Sequence, residues 1–243
     1  MNEAAIFLVA ALAGSVAAVT GFGIGSLLTP LLAVALDTRL AVAAVSLPHV
    51  VGTAVRFWRL RTPPDRRVLW TFGLASAGGG LLGALLQGWA ENPWLTVVFG
   101  GLLLFTCLGE LLGWRERMRF TGTLAWVAGG ASGFLGGLVG NQGGIRSAAL
   151  LGFDLERETF VATATAIALF VDGARVPLYV WGQREDLIGQ APWIASATAG
   201  VVVGTLAGGR VLGRIPERQF RRVVAIVVGV LGMLMIARGA VDF

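Results

Sequence analysis

The sequence predicts an all-α integral membrane protein made of two inverted repeats, each a re-entrant hairpin of broken helix plus three transmembrane helices. The composition, the apolar runs and an internal repeat predict it. Hydrophobic residues make up 56% of the 243 residues and charged residues only 14%, whereas soluble domains contain about 25% charged residues. A soluble globule of this length has too little interior to cover so much apolar surface, but lipid solvates it directly.

Six apolar runs each approach the roughly 20 residues that a helix needs to cross a bilayer. They cover residues 40–60, 68–90, 94–113, 159–181, 190–213 and 219–240. Tryptophans lie near the ends of these runs, as expected for indole rings at the membrane interface. The segment over residues 4–19 is as long as a signal peptide, but Glu3 and no arginine precede it, so we expect a retained helix.

Two further apolar regions, residues 4–36 and 121–153, are too long for one crossing, and glycine-rich stretches interrupt them at residues 21–25 and 140–144. We call these stretches the first and second breaks. The apolar residues that follow each break are too few to cross about 30 Å of hydrocarbon at about 1.5 Å per residue. We therefore predict half-helices over residues 26–36 and 145–153 that enter the bilayer without crossing it.

The two broken regions are copies of each other. A shift of 119 residues aligns residues 21–56 with 140–175 without a gap and gives eight identities in 36 positions, against about three expected by chance in so biased a composition. The matches include both breaks and the pair Arg56 and Arg175. The sequence thus predicts one membrane domain with an N-terminal half over residues 1–114, a cytoplasmic linker over 115–120 and a C-terminal half over 121–243.

The loop arginines favour the inverted arrangement. If both broken regions crossed the membrane, the arginines would divide 9 against 7, whereas re-entrant hairpins divide them 13 against 3. The positive-inside rule prefers the second division, with the larger group in the cytoplasm and both termini in the periplasm. The larger group contains Arg59, Arg61, Arg66, Arg67, Arg115, Arg117, Arg119, Arg157, Arg210, Arg214, Arg218, Arg221 and Arg222.

Broken helices in lipid indicate a binding site, because irregular backbone is tolerated there only where it lines a cavity or is buried in protein. Two breaks that enter from opposite sides bring the free N–H groups of two half-helices to the centre, which favours an anion. The predicted substrate-binding residues are Gly21, Phe22, Gly23, Gly25, Ser26, Asn141, Gln142, Gly143, Gly144, Arg146 and Ser147.

Arg146 carries most of this prediction. A cation in the first turn of a helix opposes the helix dipole and is unfavourable unless something negative lies nearby. The alternative is a structural arginine that snorkels or binds carbonyl groups. Ser26, Ser147, Asn141 and Gln142 have a similar alternative role as helix caps.

Four interior residues are candidates for coupling transport to an ion. His49 is the only histidine, and histidine changes charge near neutral pH, but a packed neutral histidine is the alternative. Asp172 lies three residues before Arg175, so an intrahelical ion pair is the simple interpretation, although an intramembrane acid is a functional candidate by default. Arg56 and Arg175 have snorkelling as their alternative. Ser46 shares a helix face with His49, but the sequence places no acid beside them to complete a hydrolytic triad.

Several partners are not expected. Cys107 is the only cysteine and no metal-ligand spacing surrounds it, so we expect neither a metal nor another cofactor. The arginines are spread over short loops rather than one exposed tract, so the net charge of +5 does not indicate nucleic acid. The expected partners are the lipid bilayer and a small anion. A coupled proton or sodium ion, and a homodimeric assembly, are left open.

The two half-repeats resemble the TauE/SafE sulfite exporter family, also called the toluene-sulfonate uptake permease family. The resemblance covers nearly the whole chain and depends on residues 20–30 and 41–48 in the first half and 136–144 and 162–165 in the second. The family commonly has a Gly-x-Gly-Gly-Gly type run at the break, from which Asn141, Gln142 and Arg146 depart.

The resemblance implies a permease rather than an enzyme, in a bacterial inner membrane, for sulfite, thiosulfate, sulfoacetate or other organosulfonates. No Walker sequence is present, so a gradient or a partner must supply the energy. Two other functions are left open: an anion channel built from paired half-helices, and an intramembrane enzyme or assembly subunit that transports nothing.

Overall fold

The computed structural model describes residues 2–20, 23–113, 122–141, 143–212 and 217–241, so the predicted linker over 115–120 lies outside the described residues. Over these ranges the chain forms helices and connecting turns, without a strand. The helices are α1 (Glu3–Thr20), α2 (Ile24–Ala33), α3 (Thr38–Arg59), α4 (Arg66–Gln87), α5 (Asn92–Leu111), α6 (Thr123–Val139), α7 (Gly143–Leu150), α8 (Arg157–Gly182), α9 (Arg184–Gly189), α10 (Ala191–Leu212) and α11 (Glu217–Val241).

Six of the described helices are long and apolar enough to cross a membrane, namely α3, α4, α5, α8, α10 and α11. They coincide with the six predicted spans, and the all-α membrane fold is confirmed. A π-helical turn over Leu69–Gly73 lies within α4 and was not predicted.

Glycine explains why each broken region stops being helical. Gly23, before α2, has φ 132°, and Gly140, after α6, has φ 75°. Only glycine adopts such angles without strain. The Gly140 N–H bonds the carbonyl of Gly136, which closes α6 with a left-handed C-terminal residue. The half-helices begin two residues earlier than predicted, at Ile24 and Gly143.

The first helix of each half packs against a helix of the other half, through faces of small residues. Helix α1 packs against α10, and its counterpart α6 packs against α4. Gly200, Gly204 and Gly208 of α10 lie against Ala10, Ala11 and Ser15 of α1 in turn. Since both sets of numbers rise together, these helices run parallel. A Cβ at Gly204 would collide with backbone atoms of α1, so small residues are what allow these two helices to pack so closely.

The pair α5 and α11 shows how the halves are related. Gly100 of α5 lies against Gly232 and Ile236, and Gly239 of α11 lies against Val97. Along this contact the residue numbers of α5 fall as those of α11 rise, so these helices are antiparallel. Helices α5 and α11 occupy the same place in the two halves, and their opposite directions mean that one half is inverted relative to the other.

Contacts at the helix ends show that α1 and α2 form a re-entrant hairpin. Thr62, after α3, donates to Glu158 at the start of α8 over 2.8 Å. The end of α3 and the start of α8 therefore lie at the same face, and α8 crosses back to the face where α3 begins. Helix α10 starts at that same face, where Ser196 donates to the carbonyl of Glu3. Helices α1 and α3 therefore start at one face of the molecule, and α1–α2 enters and returns.

Helices α6 and α7 form the matching hairpin from the opposite face. Gly129, in the second turn of α6, packs against Phe72 near the start of α4, and α4 starts at the face where α3 ends. In the first half, Asp37 accepts from the amide of Leu40 over 2.7 Å and caps α3. This cap is the point where the first hairpin has returned to its own face and the crossing helices begin. Each half is thus a broken hairpin followed by three crossing helices, as predicted.

Candidate functional site

The first and second breaks meet inside the molecule. The Ser26 hydroxyl donates to the side-chain oxygen of Asn141 over 3.2 Å, and both residues are buried. A Cβ added to Gly25 would lie 2.6 Å from the carbonyl oxygen of Gly140, so only glycine allows the two backbones to approach this closely. Three predicted site residues, Gly21, Phe22 and Gln142, lie outside the described residues.

Two helix N-termini start at this junction. Helix α2 begins after Gly23, which provides no side-chain cap, and α7 begins with Gly143 and Gly144. The first N–H groups of a helix lack intrahelical partners and carry its positive dipole end. Ser147, the other predicted hydroxyl, is buried in α7. The junction therefore presents two positive helix ends in a region shielded from solvent.

Arg146 lies in this junction with unused donors. Its side chain is only 2% exposed, so the snorkelling alternative does not apply. The Nε and Nη1 atoms have no hydrogen-bond partner within the described part of the chain, and neither does Nδ2 of Asn141. Buried donors without partners are rare in folded proteins and costly. Arg146 and Asn141 therefore offer free donors at the point where the breaks meet.

Arg56 and Arg175 do not snorkel either; each holds the end of a broken helix. Arg56 donates through Nη1 to the carbonyl of Ala17 over 2.7 Å, and Arg175 donates through Nη1 to the carbonyl of Gly136. Both arginines and both carbonyls are related by the 119-residue shift. The Gly136 carbonyl thus accepts from Arg175 as well as from the Gly140 amide. The C-terminal end of a helix favours a cation, so each arginine stabilises the first helix of its own hairpin.

Asp172 connects the two halves. It accepts from Arg175 over 3.0 Å at Nε and 2.8 Å at Nη2, which confirms the predicted intrahelical pair. Its other oxygen lies 2.7 Å from Nδ1 of His49. Sequence reasoning missed this second contact, because 123 positions separate the two residues along the chain. The acid beside His49, which the sequence analysis did not place, is therefore supplied by α8.

The contacts of Ser46 do not form a hydrolytic arrangement. Its hydroxyl donates to the carbonyl of Ala43, one helical turn earlier, over 2.6 Å. The same helix places His49 against Asp172. The described residues contain no group of three or more histidine, cysteine or acidic side chains that could hold a metal ion.

Tyr179 also belongs to this region, although it was not among the candidate residues predicted from the sequence. Its hydroxyl donates to the carbonyl of Gly137, next to the carbonyl that Arg175 holds. Tyr179 is the only tyrosine of the chain and lies one helical turn after Arg175, a spacing that places both on one helix face. This spacing from Arg175 is the sequence signal that could have identified Tyr179 as a candidate.

These features define a class of protein: a multi-pass, all-helical membrane protein whose inverted halves bring two broken helices together around a polar centre. The sequence model of one family, described as sulfite exporter TauE/SafE, matches residues 6–235. The chain therefore belongs to the TauE/SafE family, a family of membrane permeases and not of enzymes. None of the curated proteins and none of the solved structures compared with the chain matches it.

Proposed function

We propose that the protein is a secondary transporter that binds a small sulfur-containing anion between the two breaks. Sulfite, thiosulfate, sulfoacetate and other organosulfonates are the substrates that this proposal includes. The observation that carries it is the buried guanidinium of Arg146, whose Nε and Nη1 have no partner among the described residues. An oxyanion would satisfy these donors and neutralise the charge.

The remaining contacts of the substrate would come from both hairpins. The amides at the starts of α2 and α7 supply backbone donors, and Nδ2 of Asn141, which has no hydrogen-bond partner among the described residues, supplies a further one. Gly23, Gly25, Gly143 and Gly144 would contribute backbone amides rather than open space, since Val16, Gly140 and Thr106 already lie beside Gly23, Gly25 and Gly144. Ser26 and Ser147 supply hydroxyls. Gly21, Phe22 and Gln142 stay in the proposed site on sequence grounds alone.

Coupling to an ion gradient would use the residues around Asp172. Asp172 contacts His49 of the N-terminal half and Arg175 of the C-terminal half, and Arg175 holds the end of α6. A proton or sodium ion that changes the charge here would alter contacts in both halves at once. Arg56, which holds α1 in the same way, is the corresponding coupling candidate of the first half.

Transport into liposomes tests the proposal. Purified protein is reconstituted with a proton or sodium gradient, and uptake of ³⁵S-labelled sulfite, thiosulfate and sulfoacetate is measured. We expect saturable uptake that an uncoupler or ionophore abolishes. Arg146→Ala should remove it, and Arg59→Ala, which deletes an exposed arginine at the end of α3, should not.

The other outcomes separate the alternatives. Flux that does not saturate and follows only the anion gradient would favour an anion channel. No flux of any labelled anion would favour a subunit that transports nothing. We also propose the bacterial inner membrane as the location, with the arginine-rich face in the cytoplasm and both termini in the periplasm.

A further inference from the structure

Three arginines stand apart from the other sixteen, which the sequence assigns to loops and helix ends. Arg56, Arg146 and Arg175 are the buried arginines among those whose side chains the structure describes. All three lie next to the breaks. A guanidinium keeps its charge in proteins, so this region holds three fixed positive charges.

The negative charges in the same region do not balance them. Asp172 is the one buried carboxylate within the described part of the chain, and Arg175 already binds it through two nitrogens. Among the described side chains of this region, the arginines therefore outnumber the carboxylate by two positive charges, those of Arg56 and Arg146. A buried charge without a partner is strongly unfavourable.

The repeat explains why Arg56 has no acid. The 119-residue shift that relates Arg56 to Arg175 also relates Thr53 to Asp172. The first half therefore has threonine where the second half has the carboxylate. Both Nε of Arg56 and the hydroxyl of Thr53 are buried without a hydrogen-bond partner among the described residues. Arg56 donates to the carbonyl of Ala17 through Nη1, and within the described part of the chain its Nε is left for a ligand.

A series of backbone contacts leads from Arg56 to the break that precedes Arg146. Arg56 binds the carbonyl of Ala17, and a Cβ at Gly23 would lie 3.9 Å from the Ala17 amide. Two residues later, Gly25 touches Gly140 of the second break, which leads into α7 and Arg146. Arg56 and Arg146 are thus attached to backbone segments that meet at Gly25 and Gly140. The two arginines come from opposite halves of the chain.

We propose that Arg56 and Arg146 together bind one doubly charged anion, so that the site selects sulfur dianions over monoanions. This inference rests on the proposed function. A dianion compensates both unpaired guanidiniums, whereas a monoanion leaves one of them buried without a counter-charge. Each guanidinium can bind oxyanion oxygens through two N–H groups. Sulfite in its dianionic form, thiosulfate and sulfoacetate fit this description, and isethionate and taurine do not.

Sulfoacetate and isethionate provide the test, because they are similar in size and differ by one negative charge. Their affinities for purified protein at pH 8 are measured by calorimetry. We expect wild-type protein to bind sulfoacetate at least about tenfold more tightly than isethionate. Arg56→Gln should remove this preference by weakening sulfoacetate at least about tenfold, with isethionate changed much less. Arg59→Gln, the matched control on the same helix, should leave both affinities unchanged.

A second variant keeps the test valid if Arg56→Gln does not fold. Thr53→Asp restores in the first half the acid that the second half has as Asp172. The new carboxylate should pair with Arg56 and reduce the preference for sulfoacetate at least about tenfold.

Equal affinities of the two anions for wild-type protein, or equal losses of both in Arg56→Gln, would overturn the inference and leave the proposed function in place. If wild-type protein binds none of the four anions sulfite, thiosulfate, sulfoacetate and isethionate, the proposed function is wrong and the inference falls with it.

Discussion

At the scale of single residues, Arg146 shows how a local conflict indicates a ligand. It places a cation at the positive end of α7, where the helix dipole opposes it, and it is buried with two donors unused. Neither Nε nor Nη1 of Arg146 has a hydrogen-bond partner among the described residues. A bound anion would resolve both problems, so the local cost is consistent with a binding role.

We expect Arg146→Ala to lower anion affinity at least tenfold, which corresponds to about 1.4 kcal/mol or more. The variant loses the charge and the unpartnered donors at the junction of the breaks. Calorimetry or a thermal-shift panel of sulfite, thiosulfate and sulfoacetate measures the change, because a ligand that binds the folded state raises its stability. Wild-type affinity in Arg146→Ala would remove this residue from the site.

His49→Asn tests the coupling role. Asparagine retains a polar side chain beside Asp172 but does not titrate between pH 5 and 8, as histidine does. We expect the initial rate of transport to depend on pH in wild-type protein and to lose most of that dependence in the variant. The same profile in both proteins would show that His49 only packs against Asp172.

Some residue contacts could be predicted and others could not. The Asp172–Arg175 pair follows from a spacing of three positions on one helix. The contacts of Arg56 with Ala17 and of Arg175 with Gly136 each span 39 positions, and no local pattern encodes them. The snorkelling alternative for these arginines is thus replaced by a specific bond at a helix end.

At the scale of elements, the glycine breaks were predictable because irregular backbone within an apolar region needs a special reason in lipid. Their boundaries were less predictable. Because glycine is a poor helix former, the sequence predicts that Gly143 and Gly144 belong to the second break. In the structure they form the first turn of α7, where Gly144 packs against Thr106.

A substitution in the first break tests whether the close approach matters. In Gly25→Ala the new Cβ would lie 2.6 Å from the carbonyl oxygen of Gly140, so the hairpins must separate. We expect a loss of about 1–3 kcal/mol in the free energy of unfolding, together with weaker anion binding. Thermal unfolding in detergent measures the first effect.

Gly101→Ala is the matched control, because a Cβ at Gly101 would meet no atom within 4 Å. In the middle of α5, alanine should be neutral or stabilise the helix by up to about 1 kcal/mol. Equal behaviour of Gly25→Ala and Gly101→Ala would contradict the close contact of the breaks.

At the scale of the whole molecule, the internal repeat and the division of the arginines together predicted inverted halves. The structure agrees, since α5 and α11 occupy equivalent places and run antiparallel. The partners of α1 and α6 were not predictable. Small residues allow this close packing, but no local pattern in the sequence indicates that α1 joins α10 of the other half.

The orientation in the membrane is tested by labelling single cysteines. Arg61→Cys and Glu185→Cys are introduced separately into a Cys107→Ser background; both positions are exposed, and they lie at opposite faces. We expect an impermeant thiol reagent to label position 185 in intact cells, and position 61 only after permeabilisation. The reverse pattern would invert the proposed topology.

The position of a bound anion tests the proposed site at the junction of the breaks more directly than any variant does. Crystals grown with selenite, the selenium analogue of sulfite, give an anomalous peak that locates the anion without assumptions about its contacts. We expect one strong peak between the two breaks, within hydrogen-bond distance of the Arg146 guanidinium and the Asn141 amide. Selenium bound only at the outer faces, far from both breaks, would contradict an anion site at their junction.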